Sequence, residues 1–186
     1  SCNLPSTDGI PGQTSASDEL PELTVVPYAD PGLVWISMEY TESHCGIDFA
    51  ARENIPIVAP ADGVFRKEMY YHEGDPRWQV NAEIQIGGYV IELLFEPGDH
   101  VTETEAATQF DMLIADGTRV SAGDPLGTLY VASGQDHAYL HLAVRAVRSD
   151  QFECPMLYSS AKVQTEFLEL FHRDHPGEQI CYDQTY

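Results

Sequence analysis

A succession of short apolar runs separated by turn residues is the feature that most constrains the fold of this chain. The runs between residues 33 and 147 are each about one strand long and are enriched in Val, Ile, Tyr and Phe, which favour β-strands. They are LVWISMEY, GIDFA, IPIVAP, GVFRKEMYY, WQVNAEIQIG, GYVIELLFE, RVSAGDPLGTLYVA and HAYLHLAVRAV. Because Gly, Pro and Asp turns join them and no long helical period leaves room for parallel crossovers, the pattern predicts a mainly β fold, with an antiparallel sheet or sandwich as its core.

Two connections depart from this pattern. Residues 98–111 (GDHVTETEAATQFD) are polar, and although a helical turn could start near Thr102 we interpret them as a surface loop. The later segment SSAKVQTEFLELFHRDHPG has a Ser cap, apolar residues at helical spacing and a terminal Pro-Gly pair, so it predicts one C-terminal helix. The apolar positions of that helix are Val163, Phe167, Leu168 and Phe171.

Composition along the chain suggests three parts. Residues 1–32 are rich in Pro, Ser, Gly and Asp and are interpreted as an N-terminal linker or extension with at most one strand. Residues 33–148 form the strand-rich domain, and residues 149–186 form a C-terminal helical extension.

The charge of the chain excludes some partners. Its 30 acidic and 9 basic residues leave a formal net charge of −21, which would repel the phosphates that proteins bind with Lys and Arg, so no nucleic-acid partner is expected. No stretch approaches the roughly 20 consecutive apolar residues of a membrane helix, so no transmembrane segment is expected either.

The four cysteines, Cys2, Cys45, Cys154 and Cys181, include no C-x-x-C spacing. An even count of this kind favours disulfides over a thiolate zinc site, and therefore an extracellular or periplasmic protein. We hypothesise a Cys154–Cys181 bridge, because these residues bracket the predicted helix. Cys2 remains open between a bridge with Cys45, a free thiol and a lipid anchor at the start of a bacterial lipoprotein.

The segment His44-Cys45-Gly46-Ile47-Asp48 is the first that could carry chemistry. On a flat strand, residues four apart lie about 13 Å apart, too far for both side chains to reach one ion at about 2 Å. A bend is therefore required between His44 and Asp48, and Gly46 at the midpoint would allow it.

Further segments extend this pattern in order. An A-P-A-D-G-V turn covers residues 59–64, D-G-T-R-V and G-D-P-L-G follow at 116–120 and 123–127, and Y-L-H-L-A-V-R covers 139–145. Together they resemble the lysostaphin-type (LytM-like) zinc metallopeptidases, whose sequence has H-x-G-x-D, then a G-x-x-V-x-x-G-x-x-I-G hairpin, then a terminal H-L-H-F-E-V strand. The resemblance covers roughly residues 33–147.

The resemblance implies that His44, Asp48 and His141 ligate Zn²⁺. Two imidazoles and a carboxylate leave the fourth tetrahedral position open, which is typical of a catalytic rather than a structural zinc site. The implied function is that of a secreted metalloendopeptidase-like domain acting on the peptide cross-links of cell-wall peptidoglycan or on related peptides.

The chain departs from the family at the general acid/base. The first His of the family's H-x-H pair is replaced by Tyr139, whose side chain is expected on the same strand face as His141. A phenol with a pKa of about 10 is a poor base, and loss of a positioned base typically costs about 10²–10⁴-fold in rate. Tyr139 could still donate a hydrogen bond to an oxyanion.

A second catalytic His of the family, in a Y-x-H-L segment, has no clean counterpart. The nearest stretch offers Glu96, and His137 shares the strand face of Tyr139 and could substitute. Tyr139, His137 and Glu96 are therefore the candidate catalytic residues. His72 and His100 are interpreted as ordinary solvent-exposed histidines in loops.

Two alternatives remain beside the enzyme. In the first, the same fold is a non-catalytic module that binds a wall component or a protein, which the Tyr139 replacement favours. In the second, the turn and hairpin segments belong to a lipoyl- or biotinyl-like module, which would need a modified Lys at a hairpin tip. The only lysines, Lys67 and Lys162, are predicted in a strand and a helix, which disfavours that module.

Overall fold

The computed structural model describes residues 20–41, 44–73 and 76–181. The strands are β1 (Val34–Met38), β2 (Ile47–Ala51), β3 (Ile55–Val58), β4 (Gly63–His72), β5 (Arg77–Ile86), β6 (Tyr89–Glu96), β7 (Arg119–Val120), β8 (Pro125–Leu129), β9 (Ala138–Ala146) and β10 (Gln151–Glu153). The helices are α1 (Glu103–Asp111) and α2 (Ala161–Asp174), and a 3₁₀ helix covers Pro155–Tyr158.

Eight of the strands form one antiparallel sheet. Its order is β1-β2-β9-β6-β5-β4-β7, and β10 pairs with the end of β9 that β2 leaves unpaired. β3 and β8 form a second, two-stranded antiparallel sheet. The prediction of a mainly β fold with an antiparallel core is confirmed.

The two-residue period of the central strands separates the core from a polar face. Ile47 and Phe49 of β2 and Leu140 and Leu142 of β9 are almost fully buried in the apolar core. The side chains between them point to the opposite face, because successive residues of a strand alternate. His141 lies on that face.

The predicted C-terminal helix is confirmed as α2. The Ser160 side chain accepts a hydrogen bond from the Val163 backbone N–H at its start, and the Phe167 ring packs 5.3 Å from that of Phe49. The same core also contains three residues from the N-terminal part of the chain, Leu23, Val26 and Tyr28. Both extensions therefore contribute to one core, and the division of the chain at residues 33 and 149 stays a prediction.

The interpretation of residues 98–111 as a surface loop was wrong, because Glu103–Asp111 form helix α1, which is capped by Thr102, the residue near which a helical turn was allowed. Thr102 and Glu105 form a complete capping box: the Glu105 N–H donates to Thr102 Oγ1 at 3.3 Å, and the Thr102 N–H donates to Glu105 Oε2 at 2.8 Å. Satisfying the free N–H groups of the first turn in this way stabilises a helix that has little apolar surface.

The expected hairpin at residues 116–127 is also different. β7 pairs with β4 in the large sheet, whereas β8 pairs with β3 in the small sheet. The two strands follow one another in sequence, but each completes a different sheet.

The cysteines are oxidised where the structure describes them. A disulfide joins Cys154 and Cys181, with 6.2 Å between their Cα atoms, as hypothesised from the sequence. Cys45 is also disulfide-bonded. The alternatives for Cys2 lie outside the described residues. Within the described ranges, no helix has the length and apolar character needed to cross a membrane.

Candidate metal centre

His44, Asp48 and His141 form a group that could hold a metal ion. One ligand atom from each residue lies within 4.8 Å of the other two. The three side chains are 19%, 19% and 15% exposed, so the group is largely buried but still in contact with solvent. The structure thus brings together the three residues that the sequence predicted as ligands.

Strand pairing positions two members of the group. Asp48 on β2 lies directly opposite His141 on β9, and His141 Nδ1 is 2.7 Å from Asp48 Oδ1. His44 precedes β2 and approaches from outside the sheet, with its Nε2 atom 3.2 Å from the same Asp48 oxygen. Asp48 is therefore the centre of the group.

The His44 ring is oriented by the backbone around it. Its Nδ1 atom lies 2.9 Å from the Glu39 carbonyl oxygen, so Nε2 is the nitrogen directed at Asp48. The His44 backbone N–H donates to Thr41 Oγ1 at 3.0 Å, and the Thr41 N–H donates to the His44 carbonyl at 2.9 Å. Orientation of a ligand imidazole through its second nitrogen is common around protein-bound metals.

Gly46 lies in a bend of the chain between His44 and Asp48, as expected from the sequence, and it also makes room for the His141 ring. Its backbone is not in the left-handed region, so the freedom of φ that glycine offers is not used here. A Cβ atom at this position would instead collide with the His141 imidazole and lie 2.6 Å from the Leu142 carbonyl oxygen. A glycine is required at position 46 because the His141 ring fills the space that any side chain at this position would need.

The electrostatics of the group favour a charged carboxylate. Burial raises the pKa of Asp48, but hydrogen bonds from His141 and His44 outweigh this effect and hold the pKa at about 2. Burial lowers the pKa of His44, but its bonds to Asp48 and to the Glu39 carbonyl raise the pKa above its ordinary value overall. An anionic oxygen therefore lies between two imidazoles, as cation binding requires.

The group lies in an open groove of about 450 Å³. Besides the three predicted ligands, its lining includes two of the predicted catalytic residues, Tyr139 and Glu96. The remaining lining residues are Ser37, Met38, His72, Arg77, Gln79, Leu94 and Asp99. A groove of this size next to the three ligands could accept a short extended peptide.

Tyr139 and His137, the third predicted catalytic residue, interact with each other. The Tyr139 hydroxyl is hydrogen-bonded to His137 Nε2, and Asp99 Oδ1 lies 3.5 Å from the same nitrogen. His137 is not among the residues that line the groove, so it contacts the groove through Tyr139. Burial, together with nearby Asp99, raises the pKa of Tyr139, which keeps its hydroxyl protonated.

Glu96 lies opposite Tyr139 on the neighbouring strand β6 and is engaged through both oxygens. Oε1 accepts a hydrogen bond from the Gln79 amide at 2.6 Å, and Oε2 pairs with Arg77 at 2.9 Å. Burial raises the pKa of Glu96, although the charge of Arg77 opposes this shift. The sequence position at which the family has its second catalytic His is therefore occupied here by Glu96, which is paired with Arg77.

Three of the groove residues that the sequence analysis did not predict have ionisable side chains, namely His72, Arg77 and Asp99. His72 was interpreted as a loop residue, but it ends strand β4, is half-buried and pairs with Arg77 at the start of β5. The Gly-Asp-Pro sequence at residues 74–76 could have indicated that the two flanking strands form a hairpin and that their ends meet. His100 is exposed and does not line the groove, as predicted.

Comparison with known proteins gives likeness to solved structures only. No protein-family model and no curated protein matches this sequence. Among solved structures, the catalytic domain of a mutant of the prophage-encoded M23 protein EnpA from Enterococcus faecalis matches with a TM-score of 0.45 and 18% sequence identity. The match covers 69% of this chain and 93% of that chain. A likeness at this level assigns neither a family nor an activity.

Proposed function

We propose that this chain is a secreted, zinc-dependent peptide hydrolase domain with slow catalysis, acting on peptidoglycan cross-links or related peptides. The observation that carries the proposal is the His44, Asp48 and His141 group at the side of an open groove. The sequence resemblance to lysostaphin-type peptidases, which involves the same three residues, supplies the substrate class. The Cys154–Cys181 disulfide supports an oxidising location outside the cytoplasm.

The donor set fits zinc. Two imidazole nitrogens and one carboxylate oxygen are a donor set that binds Zn²⁺ in proteins, whereas Ca²⁺ and Mg²⁺ take mainly oxygen ligands. A zinc ion held there would polarise a peptide carbonyl and lower the pKa of a water molecule to about 7. His44 Nε2, Asp48 Oδ1 and His141 Nδ1 are the atoms that would hold it.

Tyr139 in the groove can donate a hydrogen bond to a substrate, but it is a poor proton acceptor for hydrolysis. The Tyr139 hydroxyl stays protonated and lines the groove, so it can donate a hydrogen bond to negative charge that develops on a substrate carbonyl oxygen. His137 bonds to that hydroxyl and orients it. Neither role replaces a proton acceptor of pKa near 7, and hydrolysis is therefore expected to be slow.

A second candidate function is a non-catalytic module that binds wall peptides. Two residues that could act as a base, Tyr139 and Glu96, already have partners in the protein, which favours this function. Tyr139 is hydrogen-bonded to His137. The two carboxylate oxygens of Glu96 bind Gln79 and Arg77. In this function the same groove binds the peptide, and the metal ion contributes affinity.

Replacing Tyr139 with His tests which function applies. Wild-type protein should cleave cross-linking peptides weakly and only with zinc, and Tyr139→His should increase the rate at least about tenfold by restoring a base beside intact ligands. Tyr139→Phe is the matched control, because it keeps the ring and adds no base.

Two results would change the assignment. Robust zinc-dependent cleavage by the wild type, unchanged or reduced in Tyr139→His, would mean that another residue such as His137 or Glu96 acts as the base. Absence of cleavage by either form across a panel of wall peptides, with measurable peptide binding, would favour the binding module.

A further inference from the structure

Tyr40 is held on two sides by the C-terminal part of the described chain. The residue is only 4% exposed, and its backbone N–H donates to the Ile180 carbonyl at 3.0 Å. Its hydroxyl donates to the Phe152 carbonyl, also at 3.0 Å. Burial, followed by the charge of Glu153, raises the pKa of Tyr40, so the hydroxyl keeps the proton that it donates. Two hydrogen bonds to backbone carbonyls therefore fix Tyr40 within the core.

The Cys154–Cys181 disulfide joins the two segments that hold Tyr40. Phe152 lies in β10, shortly before Cys154, and Ile180 directly precedes Cys181. Cys154, Ile180 and Cys181 are fully buried, and Cys181 itself forms a β-bridge with Tyr40. The disulfide therefore keeps the two carbonyl acceptors of Tyr40 close to one another.

The neighbours of Tyr40 in sequence hold the metal ligand His44. The Glu39 carbonyl oxygen lies 2.9 Å from His44 Nδ1. Thr41 Oγ1 accepts a hydrogen bond from the His44 N–H at 3.0 Å, and the Thr41 N–H donates to the His44 carbonyl at 2.9 Å. The other two ligands belong to the paired strands β2 and β9, whereas His44 precedes β2. The position of its ring therefore depends on residues 39 and 41.

We propose that Tyr40 and the Cys154–Cys181 disulfide position the His44 ligand, so that the metal group reaches full zinc affinity only when the disulfide is present. This role rests on the metal group of the proposed function. Two buried hydrogen bonds place Tyr40, and the residues on either side of it then direct the His44 imidazole at the shared carboxylate. Loss of support around a metal-binding imidazole typically lowers metal affinity about 10–100-fold.

A disulfide that only stabilised the fold would behave differently. In the chain-entropy model a disulfide acts on the unfolded chain. The zinc affinity of the folded protein would then be the same with and without the bridge. The zinc affinity of folded protein therefore distinguishes positioning of His44 from stabilisation alone.

The zinc affinity of three variants, measured by competition with a chromophoric chelator, tests the proposal. Cys154→Ser/Cys181→Ser should raise the dissociation constant of zinc at least about tenfold. Tyr40→Phe, which keeps the N–H bond to Ile180 and loses only the hydroxyl, should raise it at least about threefold. Ile57→Ala is the matched control, because it leaves a destabilising cavity at a buried position of β3 in the small sheet. It should bind zinc as the wild type does.

Amide hydrogen exchange of the zinc-free protein provides a second measurement that does not depend on the metal. The Tyr40 and His44 N–H groups should exchange at least about tenfold faster in the disulfide variant than in Ile57→Ala, because their segment can then open locally. The Leu142 N–H in the central strand β9 is the reference for global unfolding. The disulfide of Cys45 is unchanged in all variants, so it cannot account for a difference.

Wild-type zinc affinity in both Tyr40→Phe and the disulfide variant would overturn the proposal, as would exchange at Tyr40 and His44 no faster than in Ile57→Ala. An equal loss of zinc affinity in Ile57→Ala would also overturn it, because general destabilisation would then explain the effect. If the disulfide variant does not fold, the same measurements on Tyr40→Phe decide. A wild-type protein that binds no zinc would contradict the proposed function, whereas the exchange comparison would still decide whether the disulfide positions His44.

Discussion

At the scale of single residues, the metal group depends on side chains that are distant in sequence and adjacent through strand pairing. His44 and Asp48 could be predicted from a local motif, and the shared face of Tyr139 and His141 followed from the two-residue period of a strand. The engagement of Glu96 by Arg77 could not be predicted, because it depends on which strands are neighbours in the sheet.

Replacing Gly46 with Ala tests the steric role of this glycine. The added methyl group would enter the space of the His141 imidazole, so we expect zinc affinity to fall about 10–100-fold, as it does when the support of a ligand is disturbed. Competition with a chromophoric chelator measures the affinity. Gly88→Ala is the matched control, because a Cβ atom there meets nothing within 4 Å. Equal zinc affinity in Gly46→Ala and Gly88→Ala would contradict this role.

At the scale of elements, α1 shows where periodicity is insufficient. Its buried positions are Ala106 and Gln109, and the Gln109 amide donates to the Thr128 carbonyl and accepts from the Tyr130 N–H, both at 2.8 Å. A helix whose inward face includes a hydrogen-bonded glutamine has no apolar stripe to detect. The capping box of Thr102 and Glu105 was the available signal.

Replacing Thr102 with Ala tests the importance of that cap. The variant loses the acceptor for the Glu105 N–H, so the free energy of unfolding should fall by about 1 kcal/mol. Urea denaturation followed by circular dichroism provides the measurement. Thr104→Ala, an exposed position within the same helix, should be neutral or slightly stabilising. A Thr102→Ala variant as stable as Thr104→Ala would show that tertiary contacts alone hold α1.

At the scale of the whole molecule, the antiparallel β architecture and the C-terminal helix could be predicted, because strand and helix periods are local properties. The contribution of the N-terminal segment to the core could not, because a composition rich in Pro, Ser and Gly conceals the few apolar residues that pack beneath α2. Cys181 lies beside Tyr40, whose N–H donates to the Ile180 carbonyl at 3.0 Å. The end of the described chain therefore packs next to the segment that leads to His44.

Removing the Cys154–Cys181 bridge tests how far the C-terminal segment stabilises the molecule. The residues are 27 apart in sequence, and opening a loop of this length should lower the free energy of unfolding by roughly 3 kcal/mol in the chain-entropy model. Denaturant unfolding of the Cys154→Ser/Cys181→Ser variant measures the change. Ser159→Ala, which removes a local hydrogen bond to Pro155 but no crosslink, is a control of smaller expected effect. Unchanged stability of the double variant would show that packing alone secures the segment.

The zinc content of the purified protein tests the central claim most directly. Protein prepared without chelators should contain one zinc per chain by elemental analysis, because two imidazoles and a carboxylate face one point. His44→Ala and His141→Ala should each lose it, while His100→Ala, an exposed histidine outside the groove, should retain it. Absence of any transition metal from the wild type, or full zinc in both ligand variants, would contradict the account.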